Sequence, residues 1–378
     1  MKIIHIFCHG NEHHIPNMIR FFVKSSHDLG IFGCAQEFWV YDPAGLVNVV
    51  DDGGRQQKAM ACTLGWYSLS RLIAKEKPAL VVIHGLFIRG FQKLAWLSPS
   101  LIRRVHWQVW GGDLQGLQNW LSGGASQLTR QLRWAKLLFA RAWLCRVGSI
   151  GVLVPADGQD LAAICPSASV HRVIYSDLEN DHLDVASRSH PQMRILCGNS
   201  AMKSNYLEEL IDALLPHVSA SIRFVFLLSY GDLSYARRVI EYGTRKLGSS
   251  FEPIVDLLPR PEFDSFLANI DVFVSNFHGR NQQGLFSLYY GLRAGKRVFV
   301  RSDVSLFSQL KDWGFKIDDT LALPDMTTGE VVAPLRCDEA LGNQMAFRNW
   351  LSKTAAIKSW RELLARRLSD SRWPAPAS

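Results

Sequence analysis

Arg280-Asn281-Gln282-Gln283-Gly284 is a run of hydrogen-bond donors set between the apolar run Val272-Phe273-Val274 and a stretch in which Leu285, Leu288, Tyr289 and Leu292 recur at helical spacing. Those residue types in that order read as strand, polar loop and helix, with Gly295 stopping the helix before Val298-Phe299-Val300. A helix N-terminus offers free backbone N–H groups and the positive end of the dipole, so a donor-rich loop feeding it can hold an anion. Two further loops follow predicted strands nearby. Gly198-Asn199-Ser200, with Ser204 and Asn205 just beyond, comes after Ile195-Leu196-Cys197, and Ser229-Tyr230-Gly231 comes after the next strand. Gly198 lets backbone approach a ligand closely, the Asn and Ser side chains can donate to phosphate oxygens, and Tyr230 offers a ring and a hydroxyl to a base or sugar. Each loop alone is also an ordinary capped turn. Three converging at the carboxyl edge of one parallel sheet are a stronger signal of a ligand site.

In the first half, two predicted strands end in polar groups: His84-Gly85, and His106 through Asp113. Asp113 could accept the proton of an attacking hydroxyl, or cap a helix or pair with an arginine. His84 and His106 fit either a catalytic role or a satisfied place in the core. His9-Gly10-Asn11-Glu12-His13 matches the HxxEH zinc pattern, but that chemistry needs a helix, and Gly10, Asn11 and Pro16 predict a loop. No metal site is expected, and His13 and His14 are read as lining a ligand cleft. The chain has no GxGxxG after its first strand and no GxxxxGK[ST], which argues against a nicotinamide enzyme or a P-loop ATPase, so no cofactor is expected.

The elements that must position these groups alternate. Ile3–Phe7, Glu37–Tyr41, Leu80–Ile83, Val105–Val109, Gly151–Val154 and Val170–Tyr175 read as strands, with helices at Asn17–Lys24, Trp66–Lys75, Phe91–Leu97, Leu128–Cys145 and Asp157–Ile164. After a polar linker, Ser176–Pro191, a second set follows: strands Arg194–Cys197, Arg223–Leu228 and Ile254–Leu257, and helices Tyr206–Leu215, Ser234–Lys246, Glu262–Asn269 and Ser305–Trp313. Such alternation predicts an α/β protein with parallel sheets covered on both faces. The expected domains are residues 1–180, residues 190–345 and a helical tail, residues 346–378, that returns toward the first. Phe347, Trp350, Leu351, Trp360, Leu364 and Leu368 make one stripe on that tail, fitting a docked helix or a membrane-surface helix.

The 378 residues are 48% hydrophobic and 20% charged, the balance of a folded protein, and no apolar run approaches the ~20 residues of a membrane span. The seven cysteines are scattered, odd in number and without a CxxC pair, which predicts a reducing compartment with neither disulfide frame nor thiolate metal site. From Lys77 to Ala156 ten Lys or Arg stand against one acid, Asp113, amid six tryptophans. That composition fits a membrane-interface surface or a polyanion site, and equally a solvated basic face over core aromatics.

His13-His14 with Arg20-Phe21-Phe22, His84-Gly85, Trp107 to Asp113, Ile195 to Asn205 (ILCGNSAMKSN) and Arg280 to Gly295 (RNQQGLFSLYYGLRAG) together resemble glycosyltransferase family 56. These are the TDP-Fuc4NAc transferases that act on the lipid-linked disaccharide of enterobacterial common antigen. Asn281, standing between Arg280 and Gln282, and the segment from His9 to Ile15 depart from the family pattern. The resemblance implies the GT-B fold: two Rossmann-like domains facing across a cleft, with a C-terminal helix folding back. It implies a dTDP-linked deoxy-amino-sugar donor and an undecaprenyl-diphosphate-linked acceptor in surface polysaccharide biosynthesis, at the cytoplasmic face of a bacterial inner membrane. Gly198, Asn199, Ser200, Asn205, Tyr230, Arg280, Gln282, Gln283 and Gly284 are then the donor set. Asp113 is the base, with His84 or a first-loop histidine as its alternative, and His13, His14 and Trp110 lie on the acceptor side. The expected partners are donor, acceptor and an anionic membrane surface, with no nucleic acid. Other O-antigen or capsule transferases, a GT-B epimerase, a nucleic-acid binder and a non-catalytic assembly scaffold are the rival readings.

Overall fold

The computed structural model describes residues 1–8, 15–41, 51–52, 55–56, 60–62, 66–86, 91–93, 98–122, 127–175, 191–279 and 284–369. The chain divides into two compact units: Met1–Glu179 together with Lys353–Ser378, and Asn180–Ser352.

The first unit is built on β1 (Lys2–Cys8), β2 (Ala35–Tyr41), β3 (Asp51–Asp52), β4 (Arg55–Gln56), β5 (Met60–Cys62), β6 (Leu80–His84), β7 (Val105–Gln108), β8 (Ser149–Val152) and β9 (Val170–Arg172). Seven of these form a parallel sheet in the order β5-β2-β1-β6-β7-β8-β9, while β3 and β4 pair antiparallel. Side chains alternate across the sheet. Ile4, Ile6, Val81, Ile83, Val105 and Trp107 enter the core on one face; Ile3, Phe7, Leu80 and Val82 enter the core on the other. On this second face lie the helix Ile15–Lys24 and the C-terminal helix Lys353–Ser369, whose Trp360 is fully buried and donates from its indole to the Ile174 carbonyl at 2.9 Å.

The second unit carries β10 (Met193–Cys197), β11 (Ile222–Leu227), β12 (Phe251–Ile254), β13 (Val272–Ser275), β14 (Arg297–Val300) and β15 (Asp318–Asp319), all parallel, in the order β12-β11-β10-β13-β14-β15. Chain direction across the sheet reverses between β10 and β13. At such a switch point the connections leave in opposite directions and open a crevice at the strands' carboxyl ends.

Three expectations are corrected. The helical stripe read from Phe347 to Leu368 is two helices, Cys337–Trp350 and Lys353–Ser369, parted at Leu351-Ser352. Phe347 is buried in the second unit, whereas Trp360 and Leu364 are buried in the first, so the last helix is docked. The edge strand β12 lies three residues before the expected Ile254–Leu257; Pro253 is tolerated there because an edge strand leaves one side of its backbone unpaired. Of the helix expected at Phe91–Leu97, the described part is a single 3-10 turn, Phe91–Lys93.

Candidate functional site

The switch point of the second sheet holds a small open recess. Its floor is apolar, from Leu196, Phe273, Val274 and Leu288, and its polar lining is Gly198, Asn199, Ser275, Gly284 and Ser287. Gly198 turns the chain away from β10 at φ +71 while its N–H donates to the Val274 carbonyl at 2.9 Å. Opposite it, Gly284 at φ +66 precedes the helix Leu285–Arg293, whose first bond runs from the Leu288 N–H to the Gly284 carbonyl at 3.3 Å. The N–H groups of the first helical turn have no acceptor within the helix, so partial positive charge faces this end of the recess.

Backbone bonds tie together the described parts of the loops after β10, β11 and β13. Ala201 donates to the Tyr230 carbonyl at 2.9 Å and Asp232 donates to the Ala201 carbonyl at 3.0 Å, which ties the β10 and β11 loops together. The His278 N–H donates to the Ser204 carbonyl at 2.9 Å, tying the β13 loop to the β10 loop. Asn199 donates to the Tyr230 hydroxyl at 3.2 Å.

Within the expected donor set the structure separates roles. Gly198, Asn199 and Gly284 line the recess. Ser200 and Asn205 are buried, and Asn205 donates to the Ser200 carbonyl at 2.8 Å and to its hydroxyl at 3.1 Å, so both hold the loop's shape. Tyr230, 48% exposed, stands outside the lining and reaches it through Asn199. Arg280, Gln282 and Gln283, and the first-loop residues His13 and His14, lie outside the described residues.

Sequence reasoning passed over Ser275 and Ser287. It also missed Arg301, a buried guanidinium at the end of β14 that is paired with Asp303 at 2.9 Å and with Glu209, and bonded to Asn276 at 3.3 Å. The two carboxylates raise the Arg301 pKa, and Arg301 in turn holds Asp303 below the usual carboxylate range. Asn276 then donates to the carbonyl of Tyr206, a left-handed residue at φ 44, fixing the exit of the β10 loop. The signal for this cluster was the position of Arg301 directly after a strand.

The first unit treats its candidates differently. Asp113 sits in the first turn of the helix Gly112–Ser122, buried. Its Oδ1 accepts from the N–H groups of Trp110 and Leu114, both at 3.0 Å, and its Oδ2 from Leu86 N–H at 2.8 Å and the Trp107 indole at 2.7 Å. Burial pushes its pKa up, and these four donors oppose that push. A carboxylate has about four lone-pair sites, and all are taken. Through these four bonds Asp113 ties the ends of β6 and β7 to the helix.

His84 is fully buried, stacked on Phe7 at 4.2 Å, with Nε2 3.1 Å from His5 Nδ1 and Nδ1 bonded to the Tyr175 hydroxyl. A consistent proton arrangement has Tyr175 donating to His84 and His84 donating to His5. Burial, reinforced by the neighbouring histidines, holds the His84 pKa well below its usual value. His106 is buried too, 2.9 Å from the Ser149 hydroxyl. These are core histidines beneath Trp360. Trp110 packs edge-on against Tyr175 at 6.4 Å. Among the described residues no three His, Cys, Asp or Glu side chains gather as a metal site, and no helix is long and apolar enough to cross a membrane.

No protein-family model matches the chain, and no curated protein matches it by sequence. Solved structures match it by shape. Sucrose-phosphate synthase from Thermosynechococcus elongatus superposes with a TM-score of 0.67 at 11% identity, over 98% of this chain and 100% of that one. The α,α-trehalose 6-phosphate synthase of Burkholderia multivorans gives 0.62 at 10%, over 98% and 96%. Anabaena HepE, solved in complex with UDP and glucose, gives 0.62 at 12%, over 98% and 100%. Likeness at such identity is a likeness of fold, and the two Rossmann-like α/β units of this chain have the GT-B fold of those structures.

Proposed function

We propose that the chain is a glycosyltransferase that holds a nucleoside-diphosphate sugar at the recess of its second unit. One observation carries the reading: Gly198-Asn199, Ser275 and the amino end of the helix Leu285–Arg293 meet at the switch point of a parallel sheet. Donors and dipole aimed at one point are what a departing diphosphate needs, because they stabilise charge that grows as the sugar–phosphate bond breaks. That HepE shares the fold and was solved with UDP and glucose supports a nucleotide-sugar ligand.

The sequence resemblance takes the reading further, to a dTDP-linked Fuc4NAc-like donor and an undecaprenyl-diphosphate-linked saccharide acceptor. The same resemblance adds Arg280, Gln282 and Gln283, which precede Gly284 in the sequence, to the donor set. In transfer, the acceptor hydroxyl oxygen bonds to the anomeric carbon, the diphosphate leaves with the bonding pair, and the hydroxyl proton passes to a base. Asp113 and His84 are held by other partners in the first unit, which favours the remaining alternative, a first-loop histidine, as the base.

The acceptor's lipid calls for a membrane surface at the cytoplasmic face. The helix Gln127–Leu144 suits it, with four basic and no acidic residues and with Trp134 and Leu138 exposed at 61% and 57%.

A thermal-shift panel of dTDP, UDP, GDP and CMP tests the reading, since a ligand that binds only the native state raises apparent stability by mass action. dTDP should raise the melting temperature most. A panel in which no nucleotide moves it would remove the donor site, and a clear preference for UDP or GDP would remove the dTDP assignment alone.

A further inference from the structure

We propose that Cys145 and Cys165 form a reversible dithiol–disulfide pair, a redox modification site in the first unit. Their Sγ atoms lie 2.7 Å apart, between the ~2.05 Å of a disulfide bond and an ordinary contact between unbonded sulfurs. Both follow the carboxyl ends of helices: Cys145 the helix Gln127–Leu144, its N–H donating to Arg141 at 2.9 Å, and Cys165 the helix Pro155–Ile164, its N–H donating to Leu161 at 2.8 Å. The Ser167 hydroxyl sits beside both sulfurs, 3.1 Å from Cys145 and 3.6 Å from Cys165.

Access divides their roles. Cys145 is exposed and can meet an oxidant in solution, whereas Cys165 is 1% exposed and can meet only Cys145. Burial and the neighbouring thiol raise the pKa of Cys165, so it acts second. With a low-molecular-weight disulfide as oxidant, the Cys145 thiolate attacks one of its sulfurs, forming a mixed disulfide and expelling one small thiolate. Cys165 then loses its proton to solvent, its sulfur attacks Cys145 Sγ, and the second small thiolate leaves. Two protein thiols are oxidised to one disulfide, and one small disulfide is reduced to two thiols. The bond pins the last turn of the basic helix Gln127–Leu144 to its neighbour, and it does not depend on the donor site.

The test equilibrates the full reduced chain with graded ratios of oxidised to reduced glutathione, traps thiols with acid and N-ethylmaleimide, and identifies peptides by mass spectrometry. The expected product is a peptide pair linked through Cys145 and Cys165. It should reach full occupancy before Cys8, Cys34, Cys197 or Cys337 is modified. The variant C165S should instead accumulate glutathione on Cys145. In the parent protein, glutathione persisting on Cys145, either cysteine linked elsewhere, or both alkylated at the most oxidising ratio would overturn the pair.

Discussion

Gly284 and Asn199 are packed so closely that a Cβ placed on Gly284 would lie 2.6 Å from the Asn199 side-chain carbon Cγ. The amino end of one helix and the polar turn after β10 thus touch through a residue with no side chain, at a φ that favours glycine. Gly284→Ala should cost about 1–2 kcal/mol of stability through its left-handed backbone. The larger effect should be on ligand: Asn199 is displaced, and nucleotide affinity falls at least tenfold. Titration calorimetry with dTDP checks this, and parental affinity in the alanine variant would separate the contact from the binding site.

Asp113→Asn distinguishes a structural tie from a catalytic base. The amide NH2 brings two donors to a site already surrounded by four N–H groups, so two of them lose their acceptor. The expected cost is about 1–3 kcal/mol for each buried group left unpaired, read by urea unfolding. A variant as stable as the parent, with transfer abolished, would restore the catalytic role.

Acid should loosen the first unit. Burial pushes His5 and His106 down to about 3, below the ordinary histidine value. Between that ordinary value and about 3 the unfolded chain binds protons that the folded chain refuses, so their contribution is complete above pH 6.5 and declines as pH falls. Each histidine takes away up to ~1.4 kcal/mol per pH unit across that window. Unfolding followed at pH 7, 6, 5 and 4 checks the slope. Stability that is flat over this range would mean that the histidines are not buried as described.

Trp134→Ala with Leu138→Ala should reduce co-sedimentation with anionic vesicles at least fivefold while leaving the melting temperature unchanged, because both side chains are exposed. Binding by the parent should weaken as salt is raised. Equal retention of parent and variant would move the membrane contact to another surface.

Much of this was legible in the sequence because strand and helix periodicities are local. β1, β6, β10, β13 and the helix Leu285–Arg293 fall within a residue or two of the expected places. The helix Gly112–Ser122 was not, since glycines at 112 and 116 weaken a helical signal, and it forms with Asp113 accepting from its own first turn and from two strand ends. The histidine cluster was hidden for a related reason. His5, His84 and His106 are far apart in the chain and become neighbours only when β1, β6 and β7 pair. Of the candidate site, Gly198, Asn199 and Gly284 were readable from turn chemistry. Ser287 was not, because a serine inside a helix carries no signal until the recess exists.

Trp360 completes a core whose other members, Phe22, His84 and His106, lie far earlier in the chain. During synthesis the ribosome delivers the whole of the second unit before that tryptophan emerges. The later unit is contiguous and can close as it appears, whereas the earlier one must wait with an uncovered aromatic surface. Order of birth and order of maturation are therefore reversed in this polypeptide, and trigger-factor-like holdases would find their longest-lived client surface in its amino-terminal half.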